Sequence, residues 1–324
     1  MNFNKRKFFG FSLKRIATIM ILTTLTIGII SVILLEEMAL PYMPIVPWKR
    51  SGEETPASYG LQYDSLEVAV ERSFKSTQKE ILRGYFIHSV LPKPRGTIIL
   101  LHGIGGHKES NLGFSRILAD NGFHVILYDQ RAHGKSDGKY CTFGFYEKKD
   151  VSKFVDIAVA KFPSLPIGIH GASMGGAVAI QALEHDKRLK FGIIESTFNT
   201  LENVVIEYGR GYFKFRSRWL AQRVLSKSAD IAEFKPFDIK PIESCKNIGQ
   251  PILMVHGDMD EKIPIDFNQQ NFAALQSKDK EFYVVKGAGH QNVGEIGGEQ
   301  YLTKLLAFLN RQVAVGTHAE HQKS

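Results

Sequence analysis

The chain has 324 residues, of which 44% are hydrophobic and 23% charged, with twelve prolines and 29 glycines spread along it and no internal repeat. That composition excludes a disordered tract, a solenoid or a low-complexity linker, and its length suits one main folded domain. Five of the +8 net charges come from Lys5, Arg6, Lys7, Lys14 and Arg15 in an acid-free stretch, leaving a mildly basic body with no dense basic face, so no nucleic-acid partner is expected.

After the basic arm 1–15 comes an uncharged apolar run, 16–35, whose 20 residues at about 1.5 Å each span roughly the 30 Å of a bilayer core. It reads as an uncleaved transmembrane signal anchor. The competing readings are a cleaved signal peptide, whose apolar region is normally shorter and ends in a small-x-small site, and a buried core helix. The basic arm precedes the run and Glu36 and Glu37 follow it, so the N-terminus is expected in the cytoplasm and the rest of the chain on the other side. Residues 36–59, with prolines from Pro41 to Pro56, read as an extended linker.

From 60 to 313, short β-branched runs alternate with amphipathic stretches, which predicts an α/β protein with a mostly parallel sheet covered by helices on both faces. Strands are expected at 81–88, 97–101, 124–128, 167–170, 192–195, 252–255 and 282–285. Helices are expected at 111–121, 147–162, 174–185, 266–276 and 299–312, from apolar spacings such as Val151, Phe154 and Val155. Residues 197–249 are too long for a simple connection and read as a small helical lid. Within it, 210–227 holds six basic residues and no acid, interleaved with Tyr212, Phe213, Phe215 and Trp219. That pattern fits a solvated face with an aromatic underside, or else a surface for anionic lipid head groups. Residues 314–324 read as a polar tail. Cys141 and Cys245 are too few for a disulfide framework and lack metal-ligand spacing; two buried free thiols are expected, with one disulfide as the alternative outside the cytoplasm.

The chemistry is carried by three places. Gly171-Ala172-Ser173-Met174-Gly175 follows a predicted strand and opens a predicted helix, the context in which G-x-S-x-G presents a nucleophilic serine on a sharp turn. A serine hydroxyl needs a base, and the base needs an orienting acid. His290 follows the strand at 282–285, and Asp260 follows the strand at 252–255; the order Ser, Asp, His suits this architecture. Asp258 and Glu195 are alternative acids, with Asp260 preferred because it sits farther into its loop. His170 and His256 read as structural groups at strand ends, and His107 and His133 as loop residues able to reach a pocket; His318 and His321 belong to the tail. The backbone N–H groups of Met174 and Ile104 are the expected oxyanion donors. Gly105 and Gly106 lack the lysine and hydroxyl placement of a phosphate loop.

The blocks HGIGG, YDQRAHGKSDG, GASMGG, HGDMDEKIP and GAGH, taken in order, resemble the α/β-hydrolase superfamily over about residues 60–312. The chain looks most similar to its monoacylglycerol-lipase-like and serine-aminopeptidase-like branch with a short helical lid. Ala132 departs from the glycine usual there, at a turn and not at the triad. The resemblance implies a Ser173–His290–Asp260 triad, an acyl-enzyme resolved by water, and no metal or organic cofactor. The expected substrate is a lipid or other hydrophobic acyl ester. Rival readings are an aminopeptidase or amidase, which would use lid acids such as Glu202 and Glu207 to hold a substrate amine, and a non-catalytic binding protein.

Overall fold

The computed structural model describes residues 13–318, so Lys5, Arg6 and Lys7 of the basic arm and His321 of the tail lie outside the described residues. In chain order the main elements are α1 (Leu13–Met38), β1 (Tyr63–Ser73), β2 (Ser76–Ile87), β3 (Gly96–Leu101), α2 (Leu112–Asp120), β4 (Phe123–Tyr128), α3 (Glu147–Lys161), β5 (Ile167–Ala172) and α4 (Met174–His185). They continue with β6 (Leu189–Glu195), α5 (Leu201–Phe213), α6 (Arg218–Ala232), α7 (Pro241–Cys245), β7 (Ile252–Gly257), α8 (Ile265–Ala274), β8 (Lys280–Val285) and α9 (Val293–His318).

The eight strands form one sheet in the order β1-β2-β4-β3-β5-β6-β7-β8. The two pairings that involve β2 are antiparallel, and from β4 onward the strands run parallel. The central strands are buried along their whole length, as their unbroken apolar runs require. Apolar residues of α3, α4 and α7 pack on one face, and those of α2 and α9 on the other. Parallel strands all end on the same edge, so the loops after β3, β5, β7 and β8 meet there.

Three expectations change. Strand β1 extends the sheet where no strand was expected, on the alternating Leu66, Val68 and Val70. Helix α9 runs on to His318 with a break at Gly298 (φ 49°, ψ −135°), so the polar tail expected from residue 314 starts as helix. The stretch 197–249 is helical, but α7 packs against α4 in the body, and only α5 and α6 overhang the sheet edge.

Among the described residues, one helix, α1, is long and apolar enough to cross a membrane, and none of its 14–31 stretch is buried. Its Thr18, Thr23, Thr24 and Thr26 hydroxyls donate to carbonyls four residues back, which satisfies them without water. The expected extended linker is instead docked: Leu40–Tyr42 form a 3-10 turn, and Ile45 is fully buried. Ser228 Oγ donates to Pro41 O (2.6 Å), Cys141 N to Ile45 O (2.9 Å) and Lys49 Nζ to Ser136 O (2.5 Å), so this strap is tied to α6 and to the loop before α3. Both cysteines are buried and free.

Candidate active site

Ser173 sits between β5 and α4 with φ 55° and ψ −119°, a left-handed conformation that a side chain rarely adopts. The turn is held from both sides: Ser173 N donates to Glu195 O (2.8 Å), and Thr197 Oγ1 donates to Ser173 O (2.7 Å). Glycine is required at two neighbours. A Cβ on Gly171 would collide with the Gly175 carbonyl, and one on Gly175 would lie 2.5 Å from Leu101 O.

His290, from the loop after β8, places Nε2 3.0 Å from Ser173 Oγ and Nδ1 2.8 Å from Asp260 Oδ2. A carboxylate only accepts, so the Nδ1 proton points at Asp260. The Asp260 side chain has no solvent exposure, and its second oxygen accepts the N–H groups of Lys262 and Ile263, each at 2.9 Å. Burial pushes this carboxyl up, but hydrogen bonds with His256 and His290, the His290 charge and the Ile263 N–H outweigh it, holding the pKa well below the usual range. The structure thus brings together the three residues expected to act together.

The alternative acids have other partners. Asp258 is exposed and accepts Gly287 N (2.6 Å). Glu195 accepts the Tyr301 hydroxyl (2.8 Å) and lies 3.6 Å from His170 Nε2, which takes up the role expected of a strand-end histidine. Neither loop histidine reaches the cleft as expected: His133 is buried against His102, with ring centroids 4.9 Å apart, and His107 pairs with Glu109 at 3.0 Å.

The loop after β3 passes directly against Ser173, since a Cβ on Gly103 would lie 3.3 Å from Ser173 Cβ. Ile104 lines the cleft there, and Met174 begins α4, where a helix leaves its first N–H groups without an intrahelical acceptor. Residues after β4 clamp this loop: Gln130 Nε2 donates to His102 O (2.7 Å), Gln130 N to His102 Nε2 (3.1 Å), and Asp129 accepts both Lys108 N and Lys108 Nζ at 2.7 Å. The conspicuous YDQRAHGKSDG block is therefore a brace for the glycine loop.

His256 takes the structural role expected of a strand-end histidine, bonding Ile263 O at 3.0 Å and lying 3.3 Å from Asp260 Oδ2. Sequence reasoning missed three contributors, the first being Gln130, which holds the glycine loop. Tyr208 of α5 lines the cleft together with Ser173, and burial, with Tyr212 and Asp260 nearby, pushes its pKa up to about 12. The strap supplies Met43, Val46 and Trp48 to the cleft wall. No spacing rule announces any of these, although the tyrosine was visible as a residue type.

The cleft above Ser173 has a volume of about 940 Å³ and is lined by Val205, Leu220 and Val224 of α5 and α6 as well as by the strap. Glu207 also lines it, but Arg210 (2.7 Å) and Arg216 (3.0 Å) hold its carboxylate, and Glu202 pairs with Arg218 at 3.1 Å. Arg223 and Lys227 both pair with Glu37 at the end of α1. The basic charges of the insertion are thus largely matched by acids. Its aromatics do not form an underside: Tyr212 and Trp219 are 71% and 65% exposed.

A parallel sheet with a strained serine after a central strand, and an acid and a histidine on later loops of the same edge, defines the α/β-hydrolases. Residues 92–229 match the family model described as serine aminopeptidase, S33. Human monoglyceride lipase is 33% identical over 141 residues, 42% of this chain and 43% of that protein. The uncharacterized protein YqkD of Bacillus subtilis (strain 168) is 27% identical over 213 residues, 64% of this chain and 68% of the relative. Among solved structures, the Pyrococcus furiosus esterase Pf2001 aligns with a TM-score of 0.68 and 25% identity, over 83% of this chain and 99% of that one. The chain has the α/β-hydrolase fold.

Proposed function

We propose that the protein is a membrane-anchored serine hydrolase that cleaves carboxylic esters with an apolar acyl group. The observation that carries this is the hydrogen-bonded line Ser173–His290–Asp260 at the floor of a largely apolar cleft. Ser173 Oγ attacks the acyl carbon while His290 Nε2 takes its proton, and buried, ionised Asp260 stabilises the imidazolium through Nδ1. The N–H groups of Ile104 and Met174 receive the developing oxyanion. As the intermediate collapses, His290 returns the proton to the leaving alcohol. Water then attacks the acyl carbon while His290 takes its proton, and as the Ser173 Oγ–acyl bond breaks His290 returns that proton to Oγ, which releases the acid and regenerates Ser173.

An aminopeptidase would need a carboxylate open to a substrate ammonium. Arginine pairing of Glu207 and Glu202 weighs against that use, and the esterase and lipase among the similar proteins favour an ester. The α1 helix supports the membrane assignment, with the N-terminus cytoplasmic, and the exposed Trp48, Tyr212 and Trp219 suit a bilayer interface near its end. Turnover of p-nitrophenyl acyl esters, set against aminoacyl p-nitroanilides, tests the substrate class: kcat/KM at least about 100-fold higher for the esters is expected, and a preference for the anilides would refute the ester assignment.

A further inference from the structure

We infer that the strap, residues 40–50, is the acyl-chain wall of the cleft and sets how long an acyl group Ser173 accepts. This rests on the serine-hydrolase reading. The strap is not a passing tether, because buried Leu40, Pro41 and Ile45 and the bonds from Ser228, Cys141 and Lys49 fix it on the domain. Between those fixed points Met43, Val46 and Trp48 line the cleft and remain 48%, 43% and 76% exposed.

Large apolar side chains held open on an ordered segment gain from covering by another apolar surface, at about 0.8 kcal/mol for each methylene removed from water. Val205, Leu220 and Val224 line the same cleft, so an alkyl chain leaving the Ser173 floor meets apolar surface from α5 and α6 as well as from the strap. Lys227 pairs with Glu37 at the end of α1, so the helix, the strap and α6 form one connected structure over the site. Bulk added to the strap therefore shortens the groove without touching the Ser173 floor.

The test uses the full-length protein in detergent and compares the rates at which Ser173 is phosphonylated by ethyl-chain and dodecyl-chain fluorophosphonates. In Val46→Trp, and separately in Met43→Trp, the dodecyl-to-ethyl rate ratio is expected to fall about tenfold or more, the effect of a few methylenes denied their contacts. Both positions are partly exposed, so the added indole needs no repacking of the core. Ratios within about twofold of wild type in both variants would overturn the inference, because steric exclusion from a shared wall has to appear in that ratio. Failure of both probes to label wild-type Ser173 would instead refute the serine-hydrolase reading, and the inference with it.

Discussion

Ser173 is held in a left-handed conformation by bonds to Glu195 O and from Thr197 Oγ1, and glycine neighbours make room for the turn. Rigidity of this kind leaves the hydroxyl aimed at one place, His290 Nε2. Two aspartates two residues apart then separate by environment. Asp260 is wholly buried and bonded to His290, whereas Asp258 is exposed and tied to Gly287 N. Asp260→Asn should lower kcat on an acyl ester by about 10³- to 10⁴-fold by spoiling the imidazole tautomer and its charge stabilisation. Asp258→Asn should stay within about threefold, and equal losses in the two variants would contradict the assignment. At this scale much was legible: Ser173, Asp260 and His290, which the structure brings together, each follow a strand whose apolar run marks it. Tyr208 was not legible, because its approach to Ser173 depends on how α5 folds back over the sheet edge. Ala132, noted as a departure at a turn, proves to sit at φ 65°, which is the physical reason a glycine suits that position.

The central strands were visible as buried β-branched runs, and α4 and α8 lie close to their expected ranges. Strand β1 was passed over although Leu66, Val68 and Val70 alternate, because its outward residues are charged or small and its face is only half covered. The strap was misread for a related reason. Prolines and scattered charges suggest an open chain, while its docking rests on backbone carbonyls of Pro41 and Ile45, and backbone groups leave no mark in a sequence. The connections around β3 and β4 also carry a pH dependence. Burial, with His133 beside it, pushes His102 down to about 3, and burial, with His88 beside it, pushes His124 down to about 4. In the unfolded chain both imidazoles regain a pKa near 6.5, so the unfolded state binds protons first as pH falls. Stability from these groups is complete above that value and is lost progressively on acidification. Urea unfolding at pH 7 and pH 5 should therefore differ by on the order of 2–4 kcal/mol, with the acid sample weaker. A flat profile would mean that these histidines protonate in the folded state as they do in the unfolded one.

For the whole molecule, the arrangement runs from the apolar helix α1 through the strap to a cleft that α5 and α6 also line, with the sheet edge that carries Ser173 beneath. Exposed Trp48 and Tyr212 line that cleft and Trp219 is exposed on α6, while ion pairs occupy most of the neighbouring basic groups. Contact with lipid at this end would thus rest more on aromatic side chains than on net charge. The fold class was legible in the alternation of strands and helices; the joining of α1, strap and insertion was not, because it depends on contacts between segments nearly two hundred residues apart. All of it presupposes that Ser173 is an activated nucleophile. The most direct test treats membranes carrying the wild type, and Ser173→Ala at matched abundance, with a tagged fluorophosphonate. Labelling of the wild type that disappears in the variant is the expected result. An unlabelled wild type, or equal labelling of the two, would contradict the account.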